Sequence, residues 1–321
     1  MSADTAALYQ HTRRPEWGLA IIATENRDSR EYQFQDGKIR TIKEGYYHLL
    51  EPIEKPDDES DRIVGELEQQ RDRLATRSRM LERAKREGKK IFTVKEQVAL
   101  FLHRFPAGFE DNLYAEEVRG TGEGGRKKRN RDRAIEIAAE LLNQDSINNF
   151  IDNGNYEGLR DAYVEVLSAT DIASTSADAR PVKKLEGQGI VDFAHGVRAF
   201  LYGDGPLPQR FSNFIALLMA LGVEKPTWPM VTVPLGLLNP QEHFCIKPSV
   251  YRTQSRRLAP EISYTTTPTA AVYSGYMRMA VELGKQLRKA ELEPKDNIDI
   301  FSFIWETMRP GVRKQLESVG G

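Results

Sequence analysis

The chain has 321 residues, 40% of them hydrophobic and 29% charged, with a formal net charge of −1. That length suits two domains of ordinary size rather than one, and the balance disfavours both a disordered chain and a membrane protein. Near-neutrality means that any attraction to nucleic acid must come from local clusters of basic side chains. The longest apolar run, Phe214 to Val223, spans ten residues, half of what a membrane-crossing helix of roughly 20 residues needs, so it reads as a buried helix. The start Met1-Ser2-Ala3-Asp4 lacks a basic segment followed by an apolar one, so no secretory signal is expected and a cytoplasmic location is. The lone Cys245 excludes an internal disulfide, and His243 beside it has no second ligand pair to complete a metal site. Cys245 is therefore expected as a buried thiol on a strand, with no cofactor and no metal implied.

Residues 17–42 alternate short apolar runs with turn residues. Strands are predicted at Gly18–Ala23, Glu31–Phe34 and Ile39–Ile42. The last two flank Gln35-Asp36-Gly37-Lys38, where Asp-Gly between apolar runs signals a tight hairpin because the turn needs positive φ. Trp17, Ile21, Tyr32, Phe34 and Ile42 suffice for the core of a small barrel. The segment Arg14-Pro15-Glu16-Trp17-Gly18-Leu19-Ala20, the Phe34–Gly37 hairpin and Leu49-Leu50-Glu51-Pro52 together resemble the Tudor-like modules at the C-terminus of UvrD-type helicases. They are also similar to the N-terminal module of CarD-type transcription regulators. The resemblance implies an SH3/Tudor-like β-barrel over residues 1–53 that docks onto another macromolecule, RNA polymerase in those families. Trp17, Tyr32 and Arg40 are its candidate partner-binding residues.

Residues 54–61 read as a charged, proline-containing linker, and Ser60 to Glu87 as a long helix rich in Glu, Arg, Gln and Leu, stopped by Gly88. Leu67, Leu74 and Leu81 recur every seven residues, but the intervening core positions are polar, so this helix is expected to connect, leaning on the body that follows. Residues 54–91 thus form a linker and connecting helix, and 92–321 a mainly helical domain, for an α+β, mainly α chain. Thr93 and Glu96 form a capping box, after which Val94, Val98, Phe101, Leu102 and Phe105 share a face until Pro106. Further helices are predicted at Arg133–Leu142, Tyr156–Ser168, Ile190–Tyr202, Phe211–Leu221, Ala270–Lys289 and Ile298–Met308, with one or two short strands within Trp228–Lys247. Four blocks, Arg104-Phe105-Pro106-Ala107-Gly108-Phe109, Trp228-Pro229-Met230-Val231-Thr232, Ile246-Lys247-Pro248 and Phe301-Ser302-Phe303-Ile304-Trp305, resemble recurrent blocks of an uncharacterised bacterial helical family. That resemblance, over residues 92–310, implies a single structural unit and no activity.

Two basic groups are candidate nucleic-acid contacts. Arg126, Lys127, Lys128, Arg129 and Arg131 follow the glycine-rich stretch Gly120–Gly125, and Lys247, Arg252, Arg256 and Arg257 interleave with Tyr251 and precede Tyr264. Cations follow phosphates and release counterions, while tyrosine rings stack on bases. The same residues also fit a solvated helix start and a snorkelling strand end. The glycines are no phosphate loop, because Arg126-Lys127 is followed by no hydroxyl residue and no buried strand precedes them. For an enzyme, Asp192 with His195 and Glu242 with His243 are the available acid–base pairs, yet Asp192 and His195 are three apart on a predicted helix, where such pairs bond locally, and Cys245-Ile246-Lys247 has cysteine where a nuclease would place an acid. The reading is a non-enzymatic, DNA- or RNA-polymerase-associated binding protein, the partner being RNA polymerase or a DNA-processing protein. The alternatives are a nuclease or other effector enzyme of a bacterial defence system, and a structural adaptor.

Overall fold

The computed structural model describes residues 8–86, 93–120 and 130–312. The chain divides into two compact units, Met1–Gly88 and Lys89–Gly321.

In the first unit, β1 (Leu8–His11), β2 (Leu19–Glu25), β3 (Ser29–Phe34), β4 (Ile39–Lys43) and β5 (Leu50–Ile53) form one antiparallel sheet in the order β4-β3-β2-β1-β5. Short 3₁₀ turns, Pro15–Trp17 and Glu44–Leu49, precede β2 and β5. The Asp36-Gly37 hairpin forms as its sequence requires, with Gly37 at φ 86° and the Gly37 amide donating to the Phe34 carbonyl at 3.0 Å. Alternation along the strands gives the sheet two apolar faces. Ala20, Tyr32, Phe34 and Leu50 cluster on one, while Leu8 and Ile21 face Ile63 and Leu67 of helix α1 (Asp57–Arg86) on the other.

Three expectations change here. Among the described residues β4 and β5 are the sheet edges and do not pair, so the sheet is not a closed barrel; an α+β, mainly α chain with a small N-terminal sheet is what stands. Helix α1, expected to lean on the helical body, places its first buried side chains on the sheet of its own unit, because Ile21 and Leu8 would otherwise face water. Leu67 is fully covered there, whereas the Gly88 stop lies outside the described residues. Trp17 and Ile42, placed in the core by sequence, are only half buried.

The second unit is helical: α2 (Val94–Arg104), one-turn α3 (Asn112–Tyr114), α4 (Arg131–Leu141), α5 (Gln144–Asp152), α6 (Tyr156–Ser168), one-turn α7 (Arg180–Lys183), α8 (Gln188–Tyr202), α9 (Leu207–Ala220), α10 (Trp228–Leu238), α11 (Pro248–Leu258), α12 (Ala270–Lys289) and α13 (Asn297–Met308). The capping box forms at α2, the Glu96 amide donating to Thr93 Oγ1 at 3.1 Å and the Thr93 amide to Glu96 Oε2 at 2.6 Å. Side chains of Asn130, Asn143, Asn155, Thr227, Thr269 and Asp296 cap six further helices.

The stretch expected to hold strands is instead helix α10, followed by the irregular segment 243–247, in which buried Cys245 sits outside any strand. Helix α10 is covered on all sides, so its Val, Thr and Leu show no helical period to read. Pro229 occupies its first turn, where no amide is needed. Pro234 lies inside it and withholds an amide from the Met230 carbonyl, which accepts the Tyr163 hydroxyl at 3.0 Å instead. Gly236 permits the close approach of segment 243–247, since a Cβ there would fall 2.8 Å from both the amide nitrogen and Sγ of Cys245.

Candidate functional site

A partly exposed cluster in the sheet unit is built around Trp17. The Pro15–Trp17 turn sets the indole edge-on to His11 (centroids 4.8 Å apart) and Phe34 (5.3 Å). Across the hairpin, the Arg40 guanidinium lies 3.9 Å above the Trp17 ring and 5.0 Å from Phe34. Asp36 pins it with two bonds, Nη1 to Oδ1 at 2.9 Å and Nη2 to Oδ2 at 2.6 Å. The Arg40 bond holds the Asp36 carboxyl below its usual range, and the Lys38 amide adds to this at 3.1 Å. Trp17 and Arg40 thus form a partly buried patch with a flat ring and a fixed cation, the Arg40 side chain 18% exposed. Tyr32 does not join it. At 1% exposure it is a core residue, its ring 5.5 Å from Tyr9, and it cannot touch a partner. Sequence reading missed Asp36 as more than a turn residue, and also Tyr46, which stands 59% exposed in the 3₁₀ turn before β5.

Of the basic residues in the helical unit, Arg126, Lys127, Lys128 and Arg129 lie outside the described residues. The chain leaves and re-enters at adjacent points: a Cβ on Gly120, at φ 79°, would fall 2.5 Å from Asn130 Cα, so glycine is required there. Both flanks are anchored in the interior. Arg119, 5% exposed, donates to Asp296 Oδ1 (2.7 Å), Asp299 Oδ1 (2.9 Å) and Asp132 Oδ1 (3.1 Å), and the Tyr114 hydroxyl donates to Asp299 Oδ1 at 2.6 Å. Burial pushes the Asp299 carboxyl up, and Arg119 partly offsets this. Burial likewise raises the Tyr114 phenol well above its ordinary value.

Arg131 corrects an expectation. It is 2% exposed, its Nη2 2.8 Å from Asp171 Oδ1 and its guanidinium 4.9 Å from the Phe301 ring, so a surface phosphate cannot reach it. Lys247, half buried, donates from Nζ to the Asp171 carbonyl at 2.7 Å and lies 4.8 Å from the Trp305 ring. The two basic stretches singled out by sequence therefore meet at Asp171, where they fasten α4 and the start of α11 onto α13. Arg257 is half buried. Arg252 and Arg256 remain exposed, four residues apart on one face of α11, with Arg252 stacked 4.6 Å from Tyr264.

The acid–base candidates do not assemble. Asp192 and His195 are exposed on α8, where Asp192 accepts from Gln188 at 3.0 Å and His195 lies against Tyr156 at 5.8 Å. Burial lowers the His243 imidazole's pKa, while Glu242 is exposed. Cys245 is fully buried and its thiol is pushed up to about 12 by that burial, which suppresses the thiolate. Among the described residues no three His, Cys, Asp or Glu side chains gather as a metal site, and no helix is long and apolar enough to cross a membrane. No family model, curated protein or solved structure matches this chain.

Proposed function

We propose that the chain is a non-enzymatic macromolecule-binding protein. Its N-terminal unit acts as an SH3/Tudor-like module that docks RNA polymerase or a DNA-processing protein, and exposed cations of the helical unit contact nucleic acid. The observation that carries the docking half is the Trp17–Arg40–Asp36 patch, in which a ring and a guanidinium are stacked at 3.9 Å and pinned before any partner arrives. A prebuilt aromatic–cation surface loses little side-chain freedom on binding, and both residue types are enriched at interface hot spots. The antiparallel order β4-β3-β2-β1-β5, in which β5 returns beside β1 after a 3₁₀ turn, supports the fold half of the reading. Arg252 and Arg256 support the nucleic-acid half by placing two cations on one exposed face of α11, Arg252 lying 4.6 Å from the half-buried Tyr264 ring.

Both halves are tested on the full chain. Purified RNA polymerase is expected to retain the wild type and to lose Arg40→Ala, whose melting transition should be nearly unchanged. Failure of the wild type to bind polymerase removes that partner. Oligonucleotide titrations at several salt concentrations are expected to show that Arg252→Ala/Arg256→Ala weakens binding to every sequence alike. The salt dependence should flatten by roughly 0.7–0.9 log units for each phosphate no longer neutralised. A wild type without affinity at low salt overturns the nucleic-acid half.

A further inference from the structure

The two edges of the N-terminal sheet are not alike. Along an antiparallel edge strand, alternate residues turn their backbone groups outward, away from the neighbouring strand. Beside β5 the Thr12 amide donates to the Leu49 carbonyl at 2.9 Å, so Glu51 and Ile53 bond β1 while Leu50 and Pro52 turn outward. Neither offers an amide there: Pro52 has none, and the Leu50 amide already donates to the Tyr47 carbonyl. A proline so placed protects an edge from further pairing. On β4 the Phe34 amide donates to the Lys38 carbonyl and the Glu44 amide to the Asp28 carbonyl, both at 3.0 Å. These bonds bracket the strand and direct Arg40 and Ile42 toward β3, which leaves the backbone of Ile39, Thr41 and Lys43 pointing outward. Among the described residues nothing accepts from these three amides. The strand holds neither proline nor bulge, and all three residues are exposed, Ile39 at 41%.

Open ladder groups of this kind are a template for another strand, and the sequence of β4 fits a second copy of itself. Laid antiparallel about Thr41, two copies pair along the whole strand. Thr41 exchanges bonds with Thr41, the Lys43 amide reaches the Ile39 carbonyl, and Arg40 lies opposite Ile42. No like charges face each other, and just beyond the strand ends exposed Lys38 of one copy approaches exposed Glu44 of the other. Moving the centre to Arg40 would set that residue opposite its own copy, which disfavours the slip. We propose that two copies of this chain associate through β4, joining their sheets across a two-fold axis at Thr41. A five-residue strand pair covers less than the roughly 1,000 Å² of a stable interface, so the dimer is weak and reversible. Pairing uses the backbone of Ile39, Thr41 and Lys43, whereas the proposed polymerase contact uses the Trp17 and Arg40 side chains, so the two readings stand or fall separately.

The test is sedimentation velocity of the full chain. The wild type is expected to show a monomer–dimer equilibrium with a dissociation constant of roughly 10–500 µM, as befits a small interface. Thr41→Pro removes an outward amide and leaves the bonds to β3 in place, so the variant should melt as the wild type does and dimerise roughly tenfold or more weakly. The register is read by cross-linking under mild oxidation. Thr41→Cys should form an intermolecular disulfide and Ile39→Cys should not, since Ile39 faces Lys43 of the other copy rather than itself. The native Cys245 is buried and does not compete. Cross-linking decides the matter even if Thr41→Pro fails to fold. The proposal is overturned by a wild type that stays monomeric over this range, by a folded Thr41→Pro that dimerises as well as the wild type, or by equal cross-linking at the two positions.

Discussion

Replacing Arg119 by methionine removes a cation that, among the described residues, Asp296, Asp299 and Asp132 share beneath the Gly120 turn. Asp296 and Asp299 are 7% and 2% exposed, so their charges would be left without compensation in a poorly solvated place. Breaking a buried pair in this way costs about 3–5 kcal/mol. For a unit of this size each kcal/mol lowers the midpoint by roughly 2–4 °C, giving a drop of roughly 6–20 °C. The pH dependence follows from Asp299, whose folded pKa is raised above 3.8 by burial while Arg119 pulls it back down. A carboxyl with a raised folded pKa destabilises the fold when ionised, and the destabilisation grows as pH rises from its unfolded value through its folded one. Without Arg119 the folded value climbs further, so acidification returns stability to the variant. Denaturant unfolding of Arg119→Met and wild type at about pH 8 and about pH 5 should show the deficit shrinking at the lower pH. Adding Asp299→Asn should recover part of the deficit at pH 8. A deficit below about 1 kcal/mol at pH 8, or one of equal size at both pH values, refutes the account of a buried, charge-coupled network.

Leu67→Ala should destabilise the sheet unit by about 2–5 kcal/mol, because Leu67 is 1% exposed against Leu8 and Ile21; a change under about 1 kcal/mol in denaturant unfolding would separate α1 from that core. Tyr163→Phe should cost about 1–3 kcal/mol by orphaning the Met230 carbonyl that Pro234 leaves open, and a neutral result would mean water serves it as well. Cys245, buried and with its thiol pushed up to about 12, should resist an aromatic disulfide reagent at pH 8 in the native protein and react at once in denaturant. Rapid native labelling would show that segment 243–247 opens readily.

The legible parts of the fold are those where local chemistry and pattern agree. Helix α6 and helix α12 begin and end where their apolar spacing indicated, Tyr156–Ser168 and Ala270–Lys289. The Thr93–Glu96 box and the Asp36-Gly37 turn each satisfy backbone groups within a few residues. Strands β1 and β5 escaped notice because each is four residues long and is paired with the other across about forty intervening residues. Helix α10 escaped because burial on every side erases the period that marks a surface helix. Helix α11 escaped because its buried face carries Tyr251 and Gln254 rather than a plain apolar stripe.

For the candidate sites the division falls differently. Residue type by itself determined that Trp17 and Arg40 suit an interface and that the basic stretches carry positive charge. Only the tertiary structure decided which cations stay in water. Arg131 and Lys247 are drawn inward because Asp171, remote from both in sequence, offers a carboxylate to one and a carbonyl to the other, beside the rings of Phe301 and Trp305. Arg252 and Arg256 stay exposed because their face of α11 has no such acceptor packed against it among the described residues. A cation leaves solvent only where partners from distant parts of the chain replace its hydration, and that convergence is a property of the fold rather than of any one segment.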